Sequence, residues 1–414
     1  MDNCVIPQGY KATALGIIPQ EWEVMRLGDI VSITSGESPS LYHLKAKGKY
    51  PYVKVEDLNN CEKYQESSRE YSDDNNTTIK AGSIIFPKRG ASILNNKVRI
   101  AAKDIQVDSN MMAITPHTAI VDIEFLYIRI LHERLYRIAD TSSIPQINNK
   151  HIIPYKIAVP PLAEQRKIAE VLGVWDEAIE KQARLIEKLA LRKRGLMQRL
   201  LSAKLRLPGF SEPWKKVKLG DIGDTYNGLS GKNKDDFEYG NAQFIPYINV
   251  FSNERIDTNN LGCVQIEPNE QQNTVKYGDI FFTVSSETPD EVGMASVLLE
   301  HLDNTYLNSF CFGYRLNDFS TLNPFFAAYL FRTEHFRNYM SVLAQGSTRF
   351  NISKKEVMKL KIDLPTIEEQ TAIAEVLTAA DREIELAKEK LDRLRRQKRG
   401  LMQQLLTGKK RIKY

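Results

Sequence analysis

Two stretches of the chain carry apolar residues at alternating spacings of three and four, without a stop signal for about forty residues. The first reads Ile168, Leu172, Trp175, Ile179, Gln182, Ile186, Leu189, Lys193, Leu196 and Leu200. The second reads Ile373, Leu377, Ala380, Ile384, Ala387, Leu391, Leu394, Lys398, Leu401 and Leu405. This alternation predicts two helices with a coiled-coil seam, interrupted by Gln182 and by the lysine of each stretch. Each opens after proline (Pro160-Pro161, Pro365) and carries Glu in its first turn, where a carboxylate suits the positive end of the helix dipole. At 1.5 Å per residue each helix is expected to be roughly 60 Å long. Running antiparallel, the two bury their seams against one another and hold the rest of the chain as two bodies at a fixed separation. A second copy of the chain is the alternative partner, but the intramolecular one is already present at high effective concentration.

Outside these stretches the pattern changes to short apolar runs rich in β-branched and aromatic residues. They are Tyr52 to Val55, Ile84 to Phe86, Met111 to Ile114, Ile245 to Val250, Ile280 to Val284 and Phe310 to Tyr314, separated by Gly, Asn, Asp and Ser clusters. They predict strands. Each body adds one helical stretch, Glu124 to Ala139 and Pro324 to Leu343. The fold class expected is α/β (α+β), with strand bias in the bodies.

The chain is also written twice. Pro160 to Lys204 matches Pro365 to Lys409 at a constant offset of 205, with 21 of 45 positions identical. The shared residues include Glu164-Gln165 with Glu369-Gln370 and Lys193-Arg-Gly-Leu-Met-Gln198 with Lys398-Arg-Gly-Leu-Met-Gln403. Upstream the echo is fainter: Trp22 to Ile30 answers Trp214 to Ile222, and Gly82-Ser-Ile-Ile-Phe86 answers Gly278-Asp-Ile-Phe-Phe282. Pro51-Tyr-Val-Lys-Val55 is matched to Pro246-Tyr-Ile-Asn-Val250, and Asn110 to Asn308. A duplicated unit follows. The domains expected are a body over 1–159, a helical spacer over 160–205, a second body over 206–364 and a second spacer over 365–414, related by a pseudo-two-fold axis.

Composition narrows the class. With 57 basic and 52 acidic residues on 414, the net charge of +5 permits a nucleic-acid partner without requiring one. Cys4, Cys61, Cys263 and Cys311 lie far apart with no C-x-x-C pair, which argues against a zinc ribbon or a disulfide scaffold and for a reducing compartment. No leader pattern or long apolar window occurs, so a cytoplasmic protein without membrane spans is expected.

Catalytic patterns are weak. Gly228-Leu-Ser-Gly-Lys232 lacks the spacing and the Ser/Thr of a phosphate-binding loop, and the six histidines (His43, His117, His132, His151, His301, His335) are scattered without metal-ligand spacing. Asn323-Pro-Phe-Phe326 is similar to the Asn-Pro-Pro-Tyr/Phe loop with which amino-methyltransferases hold a flipped base. Asn as N-cap and Pro at the first helical position explain it without chemistry. The stronger signal is a polar loop after the helical stretch of each body, Thr141 to Lys150 and Gly346 to Lys355, dense in side chains that bond base edges and phosphates. A second divergent pair, Pro87-Lys-Arg-Gly90 and Thr283-Val-Ser-Ser286, follows the equivalent strand in each copy. A repeated frame with unlike polar loops predicts a reader with two specificities.

The opening Tyr10 to Ile30, the restart at Trp214 with Leu219-Gly-Asp-Ile222, and both Arg-Gly-Leu-Met-Gln endings resemble the specificity subunit of type I restriction-modification systems over the whole chain. The resemblance implies two target-recognition domains joined by two helices, each domain reading one half of a bipartite, asymmetric site in double-stranded DNA. It implies docking of two methyltransferase subunits around the helices, and of restriction/translocase subunits. Catalysis, with S-adenosylmethionine, ATP and magnesium, would then belong to those partners, and this chain would be non-catalytic with no cofactor or metal of its own. The DNA-binding candidates in the first body are Lys88, Arg89, Ser143, Gln146, Asn148, Asn149 and Lys150. In the second they are Lys232, Ser285, Ser286, Thr348, Arg349, Asn351, Ser353 and Lys354. Leu196, Met197, Leu401 and Met402 are candidates for docking partner helices. Two alternatives from other classes are a stand-alone DNA adenine methyltransferase and a coiled-coil scaffold without DNA specificity.

Overall fold

The computed structural model describes residues 6–141 and 144–412. Cys4 and Ser143 lie outside the described residues. The chain divides into two units, one of residues 1–183 with 389–414 and the other of residues 184–388. Both long helices, Leu162–Leu200 and Ile367–Leu406, are therefore shared, each unit taking half of each helix.

The first unit is built on a five-stranded sheet in the order Val31–Ser35, Met111–Pro116, Ile84–Pro87, Arg99–Ala101, Tyr64–Gln65. The second has a four-stranded sheet in the order Gly223–Asn227, Cys311–Leu316, Ile280–Thr283, Ala295–Val297. In both, the central strand is an unbroken apolar run because both faces of the sheet are covered. Ile84 and Phe86 join the core that also holds the helices, whereas Ile85 joins a separate core with Val53, Leu58 and Val107. Ile280 and Phe282 divide from Phe281 in the same way.

The long helices enter these cores by their ends. Ile168 and Leu172 pack with Leu405 and Leu406 in the first unit, and Leu200 and Leu201 with Ile373 and Leu377 in the second. Lys398 pairs with Asp176 in the first unit, and Lys193 with Asp381 in the second. Within each unit the two helix segments thus run in opposite directions. The expected seam residues Trp175, Ile179, Ile186, Leu189, Ile384, Leu391 and Leu394 are all buried or half-buried. Seam lysines, read from sequence as polar breaks, are instead ion-paired across the seam.

Each helix start is tied to its body by one glutamine. Gln165 Nε2 donates to Ile120 O at 2.9 Å and Pro160 O at 2.8 Å, and its Oε1 accepts from Asp122 N at 2.8 Å. Gln370 repeats this with Thr321 O at 2.9 Å, Pro365 O at 3.0 Å and Asn323 N at 2.9 Å. The adjacent carboxylates are buried and paired, Glu164 with Arg411 and Glu369 with Arg206. Burying those charges would otherwise cost several kcal/mol.

Several sequence expectations need correction. The stretch 124–139 is two helices, Ile123–Glu133 and Leu135–Ile138, because Arg134 adopts φ +62° while Asn96 Oδ1 accepts from Leu135 N. Likewise 324–343 breaks into Pro324–Leu330 and Glu334–Leu343, the second capped by Thr333. The run 245–250 is not one strand: a strand ends at Ile245, and Pro246 starts the helix Tyr247–Ser252. The match of Pro51-Tyr with Pro246-Tyr also fails on register. Val53 pairs with Val107 and Ile245 with Leu307, so Val53 corresponds to Ile245.

Candidate nucleic-acid interface

The two divergent loops predicted in each body come together, and the backbone that joins them is the same in both units. In the first, Gly90 N donates to Pro145 O at 2.8 Å, Ile147 N to Lys88 O at 2.8 Å, and Arg89 bridges to Gln146. In the second, Ile352 N donates to Val284 O at 3.0 Å, and Ser285–Ser286 pairs with Phe350–Asn351. Gln146 also bridges to Asp140, as Asn351 does to Gln345. A third segment completes each arrangement: Lys88 N donates to Asn110 O at 2.8 Å, and Val284 N to Phe310 O at 2.9 Å. A one-turn helix follows, Asn149–Ile152 or Lys354–Val357. Its far end is pinned by Gly28 N to Ile153 O at 3.2 Å and by Gly220 N to Met358 O at 2.9 Å.

Side chains on this shared lip differ at most places, although the second position of the one-turn helix is an exposed lysine in both, Lys150 and Lys355. The bridging register sets Arg89 against Ser285 and Gln146 against Asn351. The short helices set Asn149 against Lys354, and the third segment sets Asn110 against Phe310. The pairing of Asn110 with Asn308 read from sequence is therefore wrong. Asn110 N donates to Asp108 Oδ1 and Phe310 N to Asn308 Oδ1, so Asp108 is the counterpart of Asn308. Sequence reasoning missed positions 110 and 310. The signal available was their place directly before a buried strand whose partner strand leads into the predicted loop.

Arg89, Gln146, Asn149, Lys150, Thr348, Arg349, Asn351 and Ser353 are exposed on this lip. Lys88 is half-buried, and burial pulls its ammonium below the usual lysine value while Asp108 partly offsets this. Lys354 is lowered by burial, and its ammonium donates to Asn227 Oδ1. Asn148 precedes the one-turn helix, and its N–H donates to His151 Nδ1 at 3.1 Å. Ser285 O accepts from the Tyr247 hydroxyl at 3.1 Å, and Ser286 Oγ donates to Glu291 at 2.9 Å. Donors, acceptors and cations in this arrangement can meet base edges and phosphates together.

Other candidates are placed elsewhere. Lys232 is not on the lip as a free anchor: its side chain is 6% exposed and ion-paired with Glu270. Lys193 and Lys398 stay in the seam, with side chains 14% and 18% exposed. Leu196 and Met197 pack partly buried on the second unit's core, and Leu401 and Met402 on the first's, so these are not open docking faces. Asn323 caps its helix through Phe325 N at 2.8 Å and Phe326 N at 3.3 Å, as Asp122 caps its own. Among the described residues, no cluster of His, Cys, Asp and Glu is arranged to hold a metal, and no helix is long and apolar enough to cross a membrane.

Comparison with known proteins bears on this geometry. The model of the type I restriction modification DNA specificity domain matches twice, over residues 19–190 and 211–396. The MjaVIII specificity subunit of a type I restriction enzyme of Methanocaldococcus jannaschii is 26% identical, covering 96% of this chain and 94% of its own. The MjaIX specificity subunit from the same organism is 32% identical over 44% of this chain and 45% of its own. Among solved structures, a chain from a study of the assembly and conformational transition of the type I R-M system aligns with TM-score 0.65 at 20% identity, covering 94% of this chain and 99% of that one. The HsdS subunit of Thermoanaerobacter tengcongensis aligns with TM-score 0.53 at 19% identity, covering 94% and 98%. These structures share the fold.

Proposed function

The chain belongs to the type I restriction modification DNA specificity family, and from that premise we propose that it is the DNA-reading subunit of a type I restriction-modification complex. Each unit reads one half of a bipartite site in double-stranded DNA through its lip. Phosphates are held by Lys88, Arg89, Lys150, Arg349 and Lys354, and base edges are met by Gln146, Asn149, Ser285, Asn351 and Ser353. The carrying observation is one hydrogen-bond frame bearing unlike side chains, exposed Arg89 and Gln146 against half-buried Ser285 and exposed Asn351. Amide side chains suit adenine, and Arg89 suits guanine or a phosphate. Unlike lips select unlike half-sites, so the site is asymmetric.

Chemistry belongs, in this reading, to the partners: two methyltransferase subunits that use S-adenosylmethionine and restriction/translocase subunits that use ATP and magnesium. The chain itself positions them. Since Leu196, Met197, Leu401 and Met402 are packed on the cores, docking falls to outward apolar side chains of the long helices. These are Val174 in the first unit and Leu185, Leu191 and Leu386 in the second, Val174 at 62% and Leu191 at 67% being the most exposed.

The test is methylome sequencing of a host expressing the chain with its methyltransferase subunit, beside the same host carrying Arg89→Ala with Gln146→Ala. A bipartite N6-methyladenine motif is expected, relaxed in one half only by the double substitution. Methylation by the chain alone would overturn the subunit reading. Loss of both half-sites together would overturn the assignment of one lip to one half.

A further inference from the structure

The lip position that holds Asn110 in the first unit holds Phe310 in the second, and in both its own carbonyl and amide are hydrogen-bonded, the first to a main-chain amide and the second to a side-chain oxygen. The carbonyl accepts from Lys88 N at 2.8 Å or Val284 N at 2.9 Å. The amide donates to Asp108 Oδ1 at 2.7 Å or Asn308 Oδ1 at 2.9 Å. Whatever side chain stands here is projected from a backbone held at both its carbonyl and its amide. Phe310 is 59% exposed although the next two residues, Cys311 and Phe312, are 2% and 0% exposed. The ring is thus left in water at the start of a strand that is otherwise sealed.

The segments bonded to this position are rich in polar residues. Val284, bonded to its carbonyl, leads into Ser285 and Ser286, which pair with Phe350 and Asn351, and Arg349 precedes them. An apolar ring among hydrogen-bonding groups matches a surface that is itself mostly polar with one apolar point. In the major groove that point is the C5-methyl of thymine, for which a phenylalanine is a suitable contact. At the same place Asn110 carries an amide instead, which presents no apolar face of this kind and whose Nδ2 donates to Asp108 Oδ1 at 2.8 Å.

Resting on the reading of the second unit as a half-site reader, we propose that Phe310 is a base-specificity residue that packs its ring on a thymine methyl of the second half-site. The first unit, with Asn110 at this place, reads its half-site without that contact.

The test uses the chain in complex with its methyltransferase subunit and duplexes carrying the motif found by methylome sequencing. Each thymine of the second half-site is replaced in turn by uracil, which removes only the methyl, and affinity is measured by fluorescence anisotropy. One replacement is expected to weaken the wild-type complex about fourfold, equivalent to about 0.8 kcal/mol for one buried methyl group. Phe310→Ala should bind that thymine duplex and its uracil counterpart equally, while Phe310→Leu keeps part of the preference. Neither variant should change discrimination at the first half-site. If all uracil replacements are neutral in the wild type, or if Phe310→Ala keeps the preference, the proposal is wrong while the half-site reading stands. A complex that shows no discrimination at either half-site would remove that reading and the proposal with it.

Discussion

The two ends of each unit follow opposite rules. Where a long helix enters its body, Gln165 and Gln370 make the same three hydrogen bonds to corresponding atoms, and both are fully buried. At the lip, the main-chain bonds are again shared, but Arg89 stands where the second unit has Ser285, and Gln146 where it has Asn351. The difference lies in what a substitution leaves behind. Removing a buried glutamine orphans two carbonyls and one amide, whereas exposed lip side chains are replaced by water. An intermediate case stands beside the glutamines. Glu164 holds both Arg411 and the Trp22 indole at 2.9 Å, while Glu369 holds Arg206 alone and Trp214 Nε1 is buried without an acceptor among the described residues. Partial divergence is tolerated where the carboxylate keeps one cation.

The largest effect that would sharpen this contrast is on stability. Gln165→Ala and Gln370→Ala should each cost about 3 kcal/mol, from three lost bonds and the buried groups left unpaired. Arg89→Ala with Gln146→Ala should stay within about 0.5 kcal/mol, as surface changes usually do. Urea denaturation of the four proteins, followed by hydrogen exchange to localise the loss to one unit, checks both. A lip substitution as costly as the glutamine would erase the distinction between frame and reader.

Much of the frame was legible because burial writes periodic patterns. All the predicted seam residues are at least half-buried, and the unbroken runs Ile84 to Phe86 and Ile280 to Phe282 mark strands covered on both faces. The two loops of each lip were found as divergent polar segments flanking a repeated strand. What stayed hidden depended on register and on single backbone angles. The Pro-Tyr echo suggested a match that strand pairing shifts, and Arg134 at φ +62° breaks a helix whose apolar pattern runs on. Position 310 was hidden for the same reason, since a one-letter match to Asn308 concealed the counterpart of Asn110. Composition also says nothing about pairing, so Lys232 read as a phosphate anchor until Glu270 was seen beside it.

The seam lysines offer a second comparison, this time between the units. Lys193 touches Glu254 at 2.9 Å and Asp381 at 2.6 Å and lies over the Tyr329 ring. Burial pulls its ammonium down, but Asp381 and Glu254 more than compensate and hold it above the usual value. Lys398 has Asp176, whose side chain is 45% exposed. Lys193→Met leaves two half-buried carboxylates facing an apolar stem, so a cost of about 2 kcal/mol is expected, against about 1 kcal/mol for Lys398→Met. Equal losses in thermal unfolding would mean that the contacts to Glu254 and Tyr329 contribute nothing.

The smallest effect concerns protons, and it sets stability against binding. Lys88 and Lys354 are both held below the usual lysine value by burial, at different places on the two lips. In the free folded chain they lose their protons at a lower pH than in the unfolded chain. The unfolded chain therefore binds more protons in that window, and these two groups make folding more favourable as pH rises through it. DNA phosphates require the charged form, so binding must take up the missing protons and affinity falls as pH rises through the same window. A few-fold loss of affinity below the usual lysine range is expected while stability does not fall in step. Lys88→Met should flatten the pH response of the first half-site and reduce the salt dependence by about 0.9 in slope, the share of one phosphate. Lys354→Met should do so less, because its ammonium already donates to Asn227 and is less free to follow a phosphate. Anisotropy titrations at several salt concentrations between pH 8 and 10 check the order. A larger effect from Lys354 would mean that the Asn227 contact breaks on binding, placing that lysine among the groups the DNA itself positions.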